Sequence, residues 1–201
     1  MKRAEQAADT RVALIDAAKR LFATRGYLNT KITDITAEAG RAAGSFYNHF
    51  ASKEELLEAL LADVAATGDA LAGTEEHEAD FSDPDAIRYH VAAFWRVYHA
   101  HAPTMLALSQ AALVSGDFAG VVERFRRAQI DDLTSHLEHV HNLPATPEAS
   151  LTMMGVLMDG LTRVWSDVPE DEAVEAITRF VYRALNGRDY PPPADTHQRD
   201  G

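Results

Sequence analysis

The residues best suited to chemistry form a short stretch near the N-terminus, between residues 41 and 49. Hydrogen-bond donors from arginine, serine, tyrosine, asparagine and histidine are interspersed there with alanine and glycine, which let a helix backbone approach a neighbouring molecule closely. A small surface that bears donors suits a helix inserted in the major groove of DNA. The residues that we expect to be exposed are Arg41, Ala42, Ala43, Gly44, Ser45, Tyr47, Asn48 and His49.

These donors divide into two expected roles. Arg41, Ser45 and Asn48 can bond base edges or phosphates, whereas Tyr47 and His49 are suited to holding phosphates. A base contact gives sequence preference, and a phosphate contact gives affinity and register. The stretch therefore predicts a surface that both positions and reads DNA.

Three helices must position the donors, and glycines mark where two of them end. Gly26 and Gly40 stand where a helix C-terminus favours a left-handed residue. Five apolar residues have the spacing to bury against the first helix: Ile32, Ile35, Ala39, Phe46 and Phe50. The helices are predicted at about residues 11–24, 31–39 and 42–48.

The remaining sequence is helical in its periodicity as well. Ser52 and Glu55 have the spacing of a capping box, which starts a long helix to about residue 71. No stretch alternates apolar and polar residues as a strand does, so we expect an all-α fold. Further helices are predicted at about residues 85–100, 105–115, 118–141, 147–165 and 170–185.

Charge is distributed unevenly along the chain. The formal net charge is −12, yet residues 1–55 carry +2 and the remainder carries −14. Phosphate contacts need lysine and arginine, so this asymmetry suits a DNA-facing N-terminal end joined to an acidic body that phosphates repel. An acidic surface also favours solubility by itself, and the sequence leaves both interpretations of the body open.

Composition excludes several other classes of protein. The absence of cysteine rules out disulfides, thiolate nucleophiles and zinc–thiolate sites. No apolar run is long enough to span a membrane, and neither a glycine-rich phosphate loop nor a nucleophile elbow is present. We expect a cytoplasmic protein without a cofactor.

The N-terminal residues resemble the DNA-binding region of the TetR family of transcriptional regulators. The resemblance covers residues 10 to about 60, in which the family's residues recur in order. The matches are Phe22, Gly26, Ile35, Ala39, Gly40, Gly44, Ser45, Phe46, Tyr47, His49, Phe50, Ser52, Lys53, Glu54 and Leu56.

The resemblance implies a regulator, not an enzyme, in which Tyr47, His49 and Lys53 contact operator phosphates. Positions 43–48 then face the bases of double-stranded operator DNA. The full set of expected DNA-binding residues is Lys31, Thr33, Arg41, Ala43, Gly44, Ser45, Tyr47, Asn48, His49 and Lys53.

Some residues depart from the family pattern at contact positions. Arg41 replaces an apolar residue, Ala42 a serine or threonine, and Ala43 a residue that is often polar or basic. The recognition helix therefore begins with fewer donors, and operator sequence cannot be carried over from the family. Lys31 stands where a threonine commonly caps the second helix and can supply another phosphate contact.

The late helices carry apolar residues on two sides. One seam can pack inside the subunit and the other against a partner, so we expect a homodimer, as the resemblance also implies. The first seam on each helix is Leu151, Met154, Met158, Leu161 and Trp165, then Val174, Ile177, Val181 and Leu185. The second seam beside it is Met153, Leu157 and Val164, then Phe180 and Ala184.

Aromatic and thioether side chains in the body suggest a site for a small, largely apolar effector. Each of these residues alone could equally be part of an ordinary core. The candidates are Phe94, Trp95, Tyr98, Met105, Leu108, Phe125 and Met158.

The predicted organisation follows from these points. Residues 1–55 form an N-terminal three-helix helix-turn-helix domain, 56–187 a C-terminal helical ligand-binding and dimerisation domain, and 188–201 a flexible tail. In this hypothesis the protein is a repressor that binds a palindromic operator as a dimer. Effector binding shifts the helix that starts at Ser52 and so releases the DNA.

Two alternatives stay open. Nine histidines, among them His136, His139 and His141, invite a helical-bundle enzyme with a metal site, although their spacing is not that of familiar metal ligands. A regulator without a small-molecule effector, or one that activates transcription, is compatible with the same sequence.

Overall fold

The computed structural model describes residues 2–72 and 78–189, with side chains described for 5–71 and 78–189. Every regular element in these ranges is a helix, which confirms the all-α prediction. The α-helices are α1 (Lys2–Arg25), α2 (Ile32–Glu38), α3 (Lys53–Ala72), α4 (Pro84–Ala100), α5 (Ala102–Val114), α6 (Gly116–Leu133), α7 (Pro147–Val164) and α8 (Glu170–Asn186). Two 3-10 helices, Ala43–Asn48 and Thr134–Leu137, complete the described elements.

α1 begins nine residues before the predicted start at residue 11. The added residues are rich in alanine, lysine, glutamate and glutamine, which have high helix propensity but no apolar periodicity to reveal a helix. The predicted end is confirmed, because Gly26 adopts φ +75° directly after Arg25.

The prediction of one helix over residues 118–141 is wrong at its C-terminal end. α6 stops at Leu133, and the chain continues through the 3-10 turn Thr134–Leu137 instead of remaining α-helical to residue 141. Asp131 and Asp132 lie in the last turn of α6, where negative charge opposes the helix dipole.

The chain divides into two compact units. The first contains the residues up to Ala70 together with Val97–Arg127, and the second contains Leu71–Arg96 together with the residues from Ala128 onward. These units do not coincide with the proposed functional domains 1–55 and 56–187, whose boundaries stay a prediction. Residues 190–201, which include most of the predicted tail, lie outside the described residues.

Each unit has its own apolar core. In the first, side chains from α1 pack with Ile35, Phe46 and Phe50, and with Leu56 and Leu60 of α3. The core of the second unit includes Phe81, Ile87, Val91, Trp95, Leu151, Met158, Ile177 and Leu185. Of the two seams predicted on the late helices, the first faces the core: Leu151, Met154 and Met158 of α7 and Val174, Ile177, Val181 and Leu185 of α8 are buried, whereas Leu161 and Trp165 are half-buried.

Candidate DNA-binding surface

The six residues Ala43–Asn48, which we call the recognition segment, form a 3-10 helix. The sequence predicted a helix here, and the tighter type suits a run this short. Within it the Ser45 hydroxyl donates to the Ala42 carbonyl oxygen at 2.7 Å. The Ser45 hydroxyl hydrogen is therefore engaged within the segment, and its oxygen lone pairs remain available as acceptors.

Two phenylalanines fix the recognition segment to the domain. Phe46 and Phe50 are buried as predicted, and their ring centroids lie 5.6 Å apart. Phe46 and Phe50 both point inward and are four residues apart, which is about one helical turn. The residues between them therefore face outward. Tyr47, with 63% of its side chain exposed, and Asn48 are on the outer side. Arg41, Ala43 and Gly44 are exposed as well, and Ser45 and His49 are half-buried.

α2 is capped at both ends, which sets the start of the recognition segment. At its N-terminus the Asp34 carboxylate accepts from the Lys31 backbone N–H at 2.9 Å. At its C-terminus Gly40 adopts φ +64°, and the Arg41 N–H donates to the Thr36 carbonyl at 2.8 Å. The glycine turn predicted at residue 40 is confirmed. Thr33, which the sequence places on the DNA-facing side, is exposed on α2.

The start of α3 follows the predicted capping box in part. The Glu55 N–H donates to the Ser52 hydroxyl oxygen at 3.1 Å, as expected. The Glu55 carboxylate, however, accepts from the N–H of Ala51 rather than that of Ser52. The reciprocal bond is displaced by one residue, and the helix still begins at the predicted place.

Ion pairing separates the basic residues between positions 11 and 41 into two groups. Three are paired with carboxylates: Lys19 with Asp63 at 3.0 Å, Arg20 with Glu38 at 2.8 Å, and Arg25 with Asp34 at 4.0 Å. For Arg11, Lys31 and Arg41 the described part of the chain provides no ion pair. The guanidinium of Arg11 lies 5.0 Å from the ring centroid of Phe50, which follows the recognition segment in the chain.

Lys53 is placed differently from the other expected phosphate ligands. Its ammonium donates to the carbonyl oxygens of Tyr27 and Thr30, each at 2.8 Å. It also lies 3.9 Å from the ring centroid of Tyr27, whose hydroxyl donates to the Glu54 carboxylate at 2.9 Å. Lys53, Tyr27 and Glu54 therefore form one polar cluster, which we call the Lys53 cluster.

Burial and hydrogen bonding shift the protonation equilibria of the Lys53 cluster. Burial lowers the pKa of Lys53, and the neighbouring Glu54 carboxylate counteracts this only in part. Burial and the hydrogen bond to Glu54 raise the pKa of the Tyr27 phenol. Burial alone would raise the pKa of Glu54, but hydrogen bonds from its own backbone, Tyr27 and Ser52 bring that pKa below its usual value.

The predicted effector-site residues belong to the cores of both units. Leu108 is buried in the first core, with Met105 and Phe125 packed against it. Trp95 and Met158 are buried in the second core, with Phe94 packed against it. Tyr98 is buried as well. Two surface recesses formed by described residues, one on α8 and one between α1 and α2, are lined by none of these side chains. The effector site stays a prediction.

The histidines lie in separate environments. His136 is buried, and its ring contacts those of Phe81 and His90. His139 lies 3.8 Å from the carboxylate of Asp80. Within residues 5–71 and 78–189, no three side chains of the kinds that ligate metals come together closely enough to hold an ion.

None of the described helices has both the length and the apolar character needed to cross a lipid bilayer.

The fold and the exposed recognition segment define a helix-turn-helix protein. Residues 14–60 match the family model for bacterial regulatory proteins of the tetR family. Over 80 residues the chain is 44% identical to the HTH-type transcriptional regulator TtgR of Pseudomonas putida, a match that covers 40% of this chain and 38% of TtgR. Over 113 residues it is 32% identical to the HTH-type transcriptional repressor KstR2 of Mycolicibacterium smegmatis, covering 55% and 54% of the two chains.

A solved structure extends the likeness of fold to the C-terminal helices. The fatty acid degradation regulator FadR of Bacillus halodurans superposes with a TM-score of 0.74, covering 90% of this chain and 97% of that one at 16% identity. The N-terminal helix-turn-helix is therefore of the tetR-family type, and the chain as a whole has the fold of TetR-family structures, with an N-terminal helix-turn-helix domain and a C-terminal helical domain. That family consists of regulators rather than enzymes. The match to TtgR spans about two fifths of that relative's length.

Proposed function

We propose that the protein is a dimeric repressor that binds a palindromic operator through the recognition segment and is released by a small, largely apolar effector. The observation that carries the proposal is the exposed row of donors held above two buried phenylalanines. The cations of Lys31 and Arg41, which lack ion pairs among the described residues, precede this row in sequence. Such a protein acts where operator DNA lies, so a cytoplasmic location belongs to the proposal.

The side chains of the recognition segment fit distinct parts of DNA. Asn48 has the amide geometry to bond an adenine edge, and Ser45 can accept a hydrogen bond from a base. Ala43 and Gly44 add little bulk, and a Cβ at Gly44 would meet nothing within 4 Å, so the backbone there can approach the groove floor. Tyr47 and His49 are proposed to hold phosphates on either side of the base contacts.

Cations at the edges of the surface supply the phosphate-binding charge. Lys31 and Arg41 begin and end the α2 region, and both are exposed. Thr33 lies between them in sequence and offers a hydroxyl to a phosphate oxygen. Lys53 does not belong to this set of cations, because its ammonium is already bound within the domain.

An apolar face on α7 and α8 supports dimerisation. Met153, Val156 and Val164 of α7 are exposed, as is Phe180 of α8 with 61% of its surface accessible. On α8 a recess of about 540 Å³ is lined by Ala176, Arg179, Phe180, Arg183 and Ala184. These exposed apolar side chains on the last two helices favour burial against a second copy. The second of the two seams predicted from the sequence is exposed at Met153, Val164, Phe180 and Ala184, and half-buried at Leu157.

Release of DNA requires an effector that binds one conformation better than the other. The buried aromatic and thioether groups of the second unit, Phe94, Trp95 and Met158, support an apolar ligand over a charged one. The proposed switch is a displacement of α3 that changes the separation of the two recognition segments in the dimer. The other predicted lining residues are Tyr98, Met105, Leu108 and Phe125.

Titration of duplex DNA tests the proposed function. The purified protein is mixed with a fluorescent duplex library at low salt, and binding is followed by anisotropy for wild type, Tyr47→Ala and Leu113→Ala. Leu113 on α5 is a matched control, because it is also a large exposed side chain. We expect Tyr47→Ala to weaken binding roughly tenfold, the scale of a lost hydrogen bond to a charged group. Equal affinity of all three proteins would contradict the assigned surface.

A further inference from the structure

The turn of residues 26–30, which joins α1 to α2, is held to the rest of the first unit at two points. Gln110 of α5 accepts a hydrogen bond from the Tyr27 N–H at 2.8 Å. Lys53 at the start of α3 donates to the Tyr27 and Thr30 carbonyl oxygens. Neither residue belongs to the turn itself, so each one ties a separate helix to it.

Most of the hydrogen-bonding capacity of Lys53 is used by these contacts. An ammonium has three N–H donors, and two of them are bound to carbonyl oxygens at 2.8 Å. The Tyr27 ring covers a further side of the cation at 3.9 Å. A phosphate contact would have to be made with the remaining donor or by breaking this arrangement.

The turn of residues 26–30 leads into the elements that carry the DNA-binding donors, so these contacts affect the DNA-binding surface. The turn ends at Thr30, and Lys31 and α2 follow directly. α2 in turn leads through Gly40 into the recognition segment. A shift of the turn is therefore passed on to the surface that carries the donors.

We propose that Lys53 is a positioning residue of the DNA-binding surface, which fastens the turn of residues 26–30 to α3, and that it is not a phosphate ligand. This inference rests on the proposed function for its effect on DNA, but the fastening itself is a property of the protein alone. It replaces the role that the family resemblance implies for Lys53.

The two roles predict opposite results for two substitutions. Lys53→Met keeps the aliphatic packing on Tyr27 but removes the charge and both donors. Lys53→Arg keeps a positive charge that can reach a phosphate, but its planar guanidinium differs in size and shape from the ammonium that donates to the two carbonyls beside the ring. If Lys53 is a phosphate ligand, Lys53→Arg should keep its DNA affinity, and Lys53→Met should lower the slope of log affinity against log salt. If Lys53 is a positioning residue, both variants should lose affinity, and the slope should stay unchanged.

The experiment measures three properties of wild type, Lys53→Met, Lys53→Arg and Lys31→Ala. The first is the thermal midpoint without DNA, and the second is backbone amide exchange at Tyr27 and Thr30. The third is affinity for one duplex across a salt series. Lys31→Ala is the reference for a lost phosphate contact, and Phe81→Leu in the second core controls for a general loss of stability.

We expect both Lys53 variants to lower the thermal midpoint and to speed exchange at Tyr27 and Thr30. At a temperature where all proteins are folded, both should lose roughly tenfold in affinity with an unchanged slope of log affinity against log salt. Lys31→Ala should lower that slope by about 0.9 per subunit. Phe81→Leu should lower the midpoint and leave affinity unchanged.

Two results would overturn the proposal. The first is that Lys53→Met lowers the slope of log affinity against log salt by as much as Lys31→Ala does. The second is that both Lys53 variants keep the thermal midpoint and the amide exchange rates of the wild type. If the wild type binds no DNA, the proposed function fails, and the midpoint and exchange measurements still decide whether Lys53 fastens the turn.

Discussion

Asn48 and Tyr47 are neighbours on the recognition segment, yet their side chains are suited to different parts of DNA. The Asn48 amide can donate and accept in one plane, as a base edge requires, whereas the Tyr47 hydroxyl suits a single phosphate oxygen. Both are exposed, because the inward positions of the segment are taken by Phe46 and Phe50. Specificity and affinity can therefore be altered separately in this surface.

Replacing Asn48 by alanine should flatten sequence preference at one position of each half-site. The expected loss at that position is about 1 to 3 kcal/mol, with the salt slope nearly unchanged, because no charge is removed. Competition between single-base operator variants measures the preference, and Gln129→Ala on the exposed side of α6 serves as control. Equal losses on every operator variant would show that Asn48 reads no base.

Arg11 should behave as a phosphate contact that the sequence did not single out. The described residues provide no ion pair for it, and its guanidinium lies over Phe50 at the end of the recognition segment. Arg11→Ala is expected to lower the salt slope by about 0.9 per subunit. Arg20→Ala should lower it far less, because Glu38 already neutralises Arg20. The prediction fails if both variants change the slope equally in the same salt series.

For single residues, the sequence predicted which side chains are exposed better than it predicted what those side chains bind. The spacing of Phe46 and Phe50 alone predicts which neighbours face outward, and the structure agrees for Tyr47 and Asn48, whereas Ser45 and His49 are half-buried. The environment of Lys53 could not be predicted in the same way, because its carbonyl partners lie 26 and 23 residues earlier in the chain. Carbonyl oxygens also leave no signature in the sequence, since every residue carries one.

At the scale of elements, the sequence predicted the helices that have a periodic apolar stripe. It did not predict the parts of helices that are polar throughout. α7 and α8 were predicted within one residue, because proline, acidic residues and a following glycine mark their ends. The first nine residues of α1 carry no apolar stripe and were missed. The length of α6 was overestimated, because an apolar pattern continues through Leu137 and Val140, which are buried although the α-helix has ended.

The junction of α4 and α5 contains a histidine that should make stability depend on pH. His101 contacts the Thr67 hydroxyl of α3 at 3.1 Å, and Lys19 of α1 and Asp63 of α3 are the charged groups that act on it. Burial, and then the charge of Lys19, lower the pKa of His101 below its ordinary value, although Asp63 opposes this. The folded protein thus favours the neutral ring, and the unfolded chain binds the proton more readily.

The stabilisation from neutral His101 should be complete above pH 7. It should be lost as the pH falls from about 6.5 through the lowered pKa of the folded state. Thermal midpoints between pH 7.5 and 5 should therefore fall less for His101→Gln than for the wild type. His141→Gln, at an exposed position, is the control. Parallel curves for wild type and His101→Gln would contradict this interpretation.

At the scale of the whole molecule, charge and apolar surface are segregated along the chain. The charge of +2 on residues 1–55 and of −14 on the remainder favours one end of the subunit for DNA. Exposed apolar side chains occur on α7 and α8, after the DNA-binding residues. The sequence predicted both features, because charge and apolar periodicity are local properties; the partner and the effector are not encoded locally and remain proposals.

Phe180→Asp should convert the protein to a monomer. A carboxylate placed in the centre of an apolar interface is desolvated without a partner, which costs several kcal/mol. Leu113→Asp on α5 should leave the dimer intact, although Leu113 is even more exposed. Sedimentation at micromolar concentration distinguishes the two masses. A wild type that sediments as a monomer, or a Phe180→Asp variant that remains a dimer, would reject the α7–α8 interface.

The central claim, that two recognition segments of one dimer read a palindrome, is tested most directly by selection from a random duplex library. Wild-type protein is used to enrich bound sequences at physiological salt, and Asn48→Ala is carried through in parallel. The account predicts that the wild type enriches an inverted repeat and that Asn48→Ala enriches the same repeat with one position of each half relaxed. Enrichment of no sequence, or of a single unrepeated site, would contradict it.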